Sequence, residues 1–176
     1  RKKTFSNFMI SKRNKGKNYI SREQAINEII KKLPKNLIVI STTGMTSREL
    51  FELRKINKQN SNTDFLTVGG MGHANQIASG IALAKPQKKI LCIDGDGSVL
   101  MHMGSLAISS QFPNLTHIIL NNESHDSVGG QPTKGDVIDL TKIAKACGYK
   151  NNKIITKKSE INKNILKEIN KKSSSL

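Results

Sequence analysis

Two short polar clusters, Gly95-Asp96-Gly97-Ser98 and Asn121-Asn122, each follow directly on a short apolar run, and this arrangement constrains the fold more than any other feature of the chain. Residues 90–94 (Ile-Leu-Cys-Ile-Asp) and 116–120 (Thr-His-Ile-Ile-Leu) have the length and continuous apolarity of buried parallel strands. Between them, residues 101–111 read as a helix, with Met101, Leu106, Ile108 and Phe112 among its apolar positions. In a strand–helix–strand unit both strand ends lie on one edge of the sheet. Asp96 and Asn122, 26 residues apart, therefore converge. A carboxylate and an amide oxygen at such an edge suit magnesium, which takes one or two hard oxygens from protein and completes its octahedron with phosphate and water. The backbone N–H groups of Gly97 and Ser98, at the start of the following helix, can meet phosphate oxygens. An EF-hand loop fails on spacing, because it needs Gly at position six and Glu at position twelve. Counted from Asp94, those positions hold Val99 and Ser105. A plain Asp-Gly turn explains the first cluster but not its pairing with the second.

The rest of the chain alternates in the same way. Ser21-Arg22-Glu23-Gln24 is a capping box that opens a helix with Ala25, Ile26, Ile29, Ile30 and Leu33 on its apolar face, and Pro34 ends it. Residues 37–40 form a buried strand that runs into the hydroxyl-rich turn Ser41-Thr42-Thr43-Gly44. Thr46-Ser47-Arg48-Glu49 reads as a second capping box. Residues 65–68 lead into Gly69-Gly70-Met71-Gly72, followed by a small-residue helix over 73–84. A glycine-rich loop spans 126–136, a helix spans 139–147 with Gly148 as its stop, a last strand 153–156 and a last helix 160–171. Strands alternating with helices predict an α/β domain, three layers α/β/α with a mainly parallel sheet. Ligands of such sheets bind outside the carboxyl ends of the strands, where all these turns fall.

Composition limits the function classes. The chain has 176 residues, a formal net charge of +16 and no Trp. Its lysines crowd at the two ends, without the interleaved aromatic rings that single-stranded nucleic acid needs for stacking. A basic nucleic-acid-binding domain is therefore a remote alternative, whereas a positive field would steer small anions to the protein. No apolar stretch is long enough to span a bilayer and no signal-peptide pattern is present. Two cysteines make no disulfide framework, so a reduced, cytoplasmic setting is the simple expectation. The division expected is a basic arm over 1–20, one domain over 21–172 and a tail over 173–176. Because residue 1 is Arg, the chain can be a piece of a longer product. Gly70 and Gly72 begin a dinucleotide fingerprint with Asp94 at a ribose-binding distance, but Asn75 stands where a third small residue is required.

The Gly-Asp-Gly and Asn-Asn pairing resembles the signature of the thiamine-diphosphate fold. The run Asn121-Asn122-Glu123-Ser124-His125-Asp126-Ser127-Val128-Gly129-Gly130-Gln131-Pro132-Thr133 is closer still to the phosphonopyruvate decarboxylase and sulfopyruvate decarboxylase family. The resemblance extends over about residues 21–140 and implies the diphosphate-binding (PP) domain of that fold. It implies magnesium held by Asp96, Asn122 and the carbonyl of Ser124, and diphosphate held at Gly95, Gly97 and Ser98. Thr43 and Gly44 are candidates to line the diphosphate or the thiazolium. Met71 would lie under the cofactor and bend it into a V, and the Gly69 carbonyl, in the Gly69-Gly70 turn, would accept a hydrogen bond from its pyrimidine amino group. His125 can donate a proton after decarboxylation or bind an anionic substrate head, and His73 can contact phosphate.

The activity implied is decarboxylation of a 2-oxo acid, with 3-phosphonopyruvate, giving phosphonoacetaldehyde in phosphonate biosynthesis, preferred over sulfopyruvate. A sulfopyruvate decarboxylase beta-type subunit or another thiamine-diphosphate enzyme remains the alternative. The resemblance also implies a missing part, because the glutamate that activates the cofactor belongs to a pyrimidine-binding domain. Glu23, Glu28, Glu49 and Glu52 match no such motif. The expectation is a chain inactive alone, working as half of a longer polypeptide or as one subunit of a homo- or hetero-oligomer.

Overall fold

A computed structural model describes residues 20–171 and 175–176, so the expected basic arm lies, apart from Ile20, outside the described residues. Helix α1 (Arg22–Ile30) starts at the expected capping box, in which Ser21 and Gln24 satisfy each other's backbone N–H groups. It is followed by β1 (Ile38–Ser41), α2 (Met45–Ile56), β2 (Asp64–Leu66), α3 (Ala74–Ala84), β3 (Ile90–Gly95), α4 (Asp96–Met101), α5 (Ser105–Ser109) and β4 (Leu115–Leu120). A small antiparallel hairpin, β5 (Ser124–His125) and β6 (Gln131–Pro132), then precedes α6 (Leu140–Ala146) and α7 (Lys158–Ile169).

The main sheet has the order β2-β1-β3-β4, and every pair in it is parallel. Alternation along the strands feeds two apolar layers. Val39, Leu91 and Ile93 face a core shared with α1, α2 and α7. Ile40, Ile90, Cys92 and Leu115 face the opposite side, against the small residues Ala74, Ala78 and Ala82 of α3. A third cluster joins Val99 of α4 and Leu106 of α5 to Leu140, Ala144 and Tyr149. The three-layer α/β/α arrangement expected from the alternation is the one observed. Among the described residues no helix is long and apolar enough to cross a membrane.

Four local expectations are corrected. The second capping box does not form. Helix α2 begins at Met45, after Gly44 with φ 88°, and this early start places Thr46 and Ser47 inside the helix. The Ser47 hydroxyl turns back to the Thr42 carbonyl at 2.7 Å. The helix over 101–111 begins earlier, at Asp96, and breaks at His102–Gly104. The break shifts the phase of the apolar face, so Leu106 is fully buried while Met101 and Ile108 stay more than half exposed. The glycine-rich loop supplies the turn and the second strand of the β5–β6 hairpin, made possible by left-handed backbone at Gly129 and Gly130. Residues 153–156 form no strand. The outer edge of β4 is already taken by Ser175, which bridges Thr116 and accepts the His117 N–H at 2.9 Å. Ser175, assigned to the tail, is 1% exposed.

The edge strand β2 is held to α2 by Arg54, whose Nε and Nη2 donate to the two oxygens of Asp64 at 2.9 and 3.0 Å. The Asp64 side chain is 2% exposed. Removing the arginine strands a buried charge, so Arg54→Met is expected to cost about 3–5 kcal/mol in urea unfolding. The double variant Arg54→Met/Asp64→Leu should recover most of the loss. A cost for Arg54→Met below about 1 kcal/mol would mean that the pair behaves as a solvated one.

Candidate functional site

The carboxyl ends of the four strands stop at nearly the same level, and the loops that leave them form one cleft. The β3–β4 ladder ends with Gly95 opposite Leu120, so the residues that follow, Asp96 and Asn121-Asn122, emerge side by side. Thr43, Met71, Gly95, Asp96, Gly97, Ser98, Asn122, Ser124 and His125 all line this solvent-open cleft of about 430 Å³. The other three candidates do not line it. Gly69 and Gly70 are exposed, and the Gly69 N–H donates to Thr43 Oγ1 at 3.0 Å. Gly44 supports the floor under Ser127, whose Oγ would meet a Cβ built on the glycine at 3.1 Å. His73 does not line the cleft. Its ring packs on His102, with centroids 4.4 Å apart, and its Nδ1 lies 3.2 Å from the Gly70 carbonyl.

Asp96 opens α4, with Gly95 as N-cap, so the N–H groups of the first turn have no helical acceptor. The Asp96 side chain is 1% exposed, and its Oδ2 accepts the Thr133 hydroxyl. A Cβ on Gly135 would lie 2.5 Å from the same oxygen and 2.4 Å from Asn121 Oδ1. Only a glycine lets this loop close so tightly on the carboxylate. Gly97 has the same role on the other side, where a Cβ would lie 2.5 Å from the His125 ring. Asn121 Nδ2 donates to the Gly135 carbonyl at 2.7 Å and so braces the turn. Asn122 Nδ2 donates to Asp126 Oδ2 at 2.8 Å, which orients its Oδ1 toward the Ser124 N–H at 3.4 Å. A carboxylate, an amide oxygen and a backbone carbonyl are hard donors on one cleft wall. That set fits a small divalent cation carrying phosphate and not a soft metal.

Hydroxyls knit the turns together beneath this wall. Ser98 Oγ lies 2.8 Å from Thr42 Oγ1 and accepts the Gly72 N–H at 3.0 Å, joining the loops after β1, β2 and β3. Further down the same face, Cys92 Sγ, an Asp94 oxygen and a His117 ring nitrogen lie within 4.8 Å of one another, all buried. His117 Nε2 is 3.5 Å from Asp94 Oδ2, and Tyr149 Oη lies 3.5 Å from His117 Nδ1. Burial acts to raise the Asp94 carboxyl, but His117, Ser98 and the Gly95 N–H outweigh it and hold the group below the usual carboxylate range. Burial, and then Asp94, push the Cys92 thiol well up, so it is no nucleophile. Asp94, 1% exposed and engaged below the sheet edge, is unavailable to a ribose, which removes the dinucleotide reading.

The residue that the sequence reading missed is Arg22. It belongs to α1, yet its guanidinium lines the cleft. Glu49 grips Nε and Nη2 at 2.9 and 2.8 Å, and Asp126 accepts Nη1 at 2.6 Å. Glu49 first, and Asp126 after it, raise the guanidinium above its ordinary value although burial opposes them. No local pattern signals this trio, because its members lie 27 and 104 residues apart. Thr133 is likewise 37 residues from the carboxylate it supports.

Comparison with known proteins agrees with this geometry. Residues 42–176 match the family described as "Thiamine pyrophosphate enzyme, C-terminal TPP binding domain". The chain is 42% identical over 132 residues to the phosphonopyruvate decarboxylase of Streptomyces viridochromogenes, an alignment covering 74% of this chain and 32% of that protein. It is 37% identical over 132 residues to the sulfopyruvate decarboxylase subunit beta of Methanothermobacter thermautotrophicus, covering 74% of this chain and 68% of that subunit. The chain thus spans about a third of the first relative's length. Among solved structures, benzoylformate decarboxylase from Polynucleobacter necessarius superposes with a TM-score of 0.71 at 17% identity, covering 87% of this chain and 31% of that one, a likeness of fold. The sheet order, the convergent turns after β3 and β4 and the family match lead to one conclusion: the chain belongs to the thiamine pyrophosphate enzymes, as their C-terminal TPP-binding domain.

Proposed function

We propose that this chain is the diphosphate- and magnesium-binding half of a thiamine-diphosphate-dependent decarboxylase acting on an anionic 2-oxo acid, with 3-phosphonopyruvate as the preferred substrate. The observation that carries the reading is the meeting of Asp96 and Asn122 on one cleft wall, at the end of the β3–β4 ladder. Asp96, the Asn122 side-chain oxygen and the Ser124 carbonyl would hold Mg2+, and the free N–H groups of Gly97 and Ser98 would meet the diphosphate. Met71 would support the cofactor from the cleft floor, with Thr43 and Gly44 bordering the diphosphate or the thiazolium and the Gly69-Gly70 turn outside the lining. When bound, thiamine diphosphate supplies the electron sink that decarboxylation of a 2-oxo acid requires. His125, whose ring lies against Gly97, would deliver a proton through a ring nitrogen to the reacting carbon.

Sulfopyruvate is the second reading, favoured by the 68% coverage of the Methanothermobacter subunit. In both readings a pyrimidine-binding domain must complete the site, either on the same longer chain or on a separate subunit. What supports this is the state of the carboxylates. Glu49 is tied to Arg22, Glu28 to Asn162, Lys31 and Lys158, and neither lines the cleft.

Two measurements test the proposal. Calorimetry with thiamine diphosphate and Mg2+ should give weak, metal-dependent binding, and Asp96→Ala should weaken it by at least ~10-fold. Unchanged binding in that variant would remove Asp96 from the metal site. Steady-state assays with 3-phosphonopyruvate should show no turnover by the chain alone and turnover on addition of its pyrimidine-binding domain. Clear turnover without that domain would overturn the half-site reading. Tight duplex DNA binding with a steep salt slope would instead support a nucleic-acid role.

A further inference from the structure

Among the described residues, Arg22 is the one with a permanent positive charge that lines the cleft. Its surroundings are those of a prepared receptor. Glu49 takes the Nε/Nη2 edge of the guanidinium with both carboxylate oxygens, and the two side chains are only 16% and 17% exposed. That fork fixes the plane of the group and leaves the Nη1 side toward the cleft, where Asp126 now sits. Asp126 belongs to the single 3-10 turn between β5 and β6, and its side chain is 41% exposed. Its Oδ2 also takes the Asn122 amide, so one loop carboxylate bridges the arginine and a residue of the cation wall.

We propose that Arg22 is the receptor for the anionic head of the substrate, a tetrahedral phosphonate or sulfonate, and that Asp126 is an internal stand-in that this head group displaces. The inference rests on the cofactor reading of the cleft and adds the residue that selects the substrate class. Guanidinium donors match the spacing of oxyanion oxygens, and such charge-assisted pairs are the strong ones. Preorganisation by Glu49 lowers the ordering cost of binding. A head group with three oxygens can satisfy Nη1 and Nη2 together, whereas Asp126 reaches Nη1 alone. Displacing Asp126 also releases its bond to Asn122, so arrival of the substrate loosens the hairpin from one position and frees it for another. 2-Oxo acids with an uncharged side chain lack an anionic head group able to displace the carboxylate and would leave the hairpin where it is.

The test uses the 15N-labelled chain, without thiamine diphosphate or Mg2+, titrated with methylphosphonate, methanesulfonate and the uncharged dimethyl ester of methylphosphonate. Saturable shifts are expected at Arg22 Nε–H and at the Ser127 and Val128 amides with the two anions and not with the ester. Arg22→Gln should weaken binding at least ~10-fold. Asp126→Asn should tighten it about threefold or more, because it removes a competing occupant. A merely structural arginine–aspartate pair gives the opposite sign for Asp126→Asn, namely weaker or unchanged binding, and that result overturns the proposal. So do shifts that map away from Arg22. If Arg22→Gln fails to give a dispersed spectrum, the half-exposed Asp126 decides the matter alone. Anion binding without cofactor binding would sink the decarboxylase reading and leave this receptor standing, and the reverse outcome would do the opposite.

Discussion

The pairing of β3 with β4 is the constraint on which the rest of this structure depends. Six residues of each strand run in parallel register, from Ile90 opposite Leu115 to Gly95 opposite Leu120. Parallel pairing sends both chains out of the sheet at the same edge, and equal strand lengths bring them out at the same depth. A slip of one residue would turn Asp94 and His117 out of the interior and point core side chains at the cleft. The buried layer under the strands therefore sets the position of the polar layer above them. The small residues of α3 allow that helix to lie close under β3, and the hydroxyl link from Thr42 through Ser98 to the Gly72 N–H ties the neighbouring loops to it.

Support for the site comes in part from groups that would not touch a ligand, Thr133 and Asn121 among them. Thr133 and Asn121 brace the Asp96 turn from one side, and His125 lies over Gly97 on the other. Each contact is possible only because a glycine occupies position 97 or 135. Below the turn, Asp94 accepts the Gly95 N–H at 3.0 Å and is itself steadied by His117, which Tyr149 and Ser109 back up in turn. Asp94 Oδ2 and His117 Nε2, both buried, make no hydrogen bond at their 3.5 Å separation, so their mutual attraction is electrostatic.

How much of this could be read beforehand follows from the range of the forces involved. The strands β1, β3 and β4, the capping box at Ser21 and the stop at Gly148 are written in local periodicity and local hydrogen bonding, and the structure has them. The grouping of Asp96 with Asn122 was legible because chirality fixes the geometry of a strand–helix–strand unit. Local rules failed where a distant partner outbid a nearby one. Glu49 looked like half of a capping box, yet Arg22 of another helix holds it. Residues 153–156 read as a last strand, yet Ser175 occupies the edge of β4. Arg22, Thr133 and the His117–Asp94 pair carry no signature of their own, since only the folded chain brings their partners near. The roles proposed for Gly69, Met71 and His125 rest on family resemblance; Met71 and His125 line the cleft, whereas Gly69 is exposed outside its lining.

The account turns on whether a single cation sits between the Asp96 carboxylate and the Asn122 amide. Paramagnetic broadening by Mn2+, added with thiamine diphosphate to the 15N-labelled chain, addresses this directly. The side-chain amide of Asn122 and the backbone amides of Gly97 and Ser124 should be the first resonances to vanish. If those signals stay sharp while others broaden, the cation lies elsewhere, and the cofactor site built on this sheet edge is wrong.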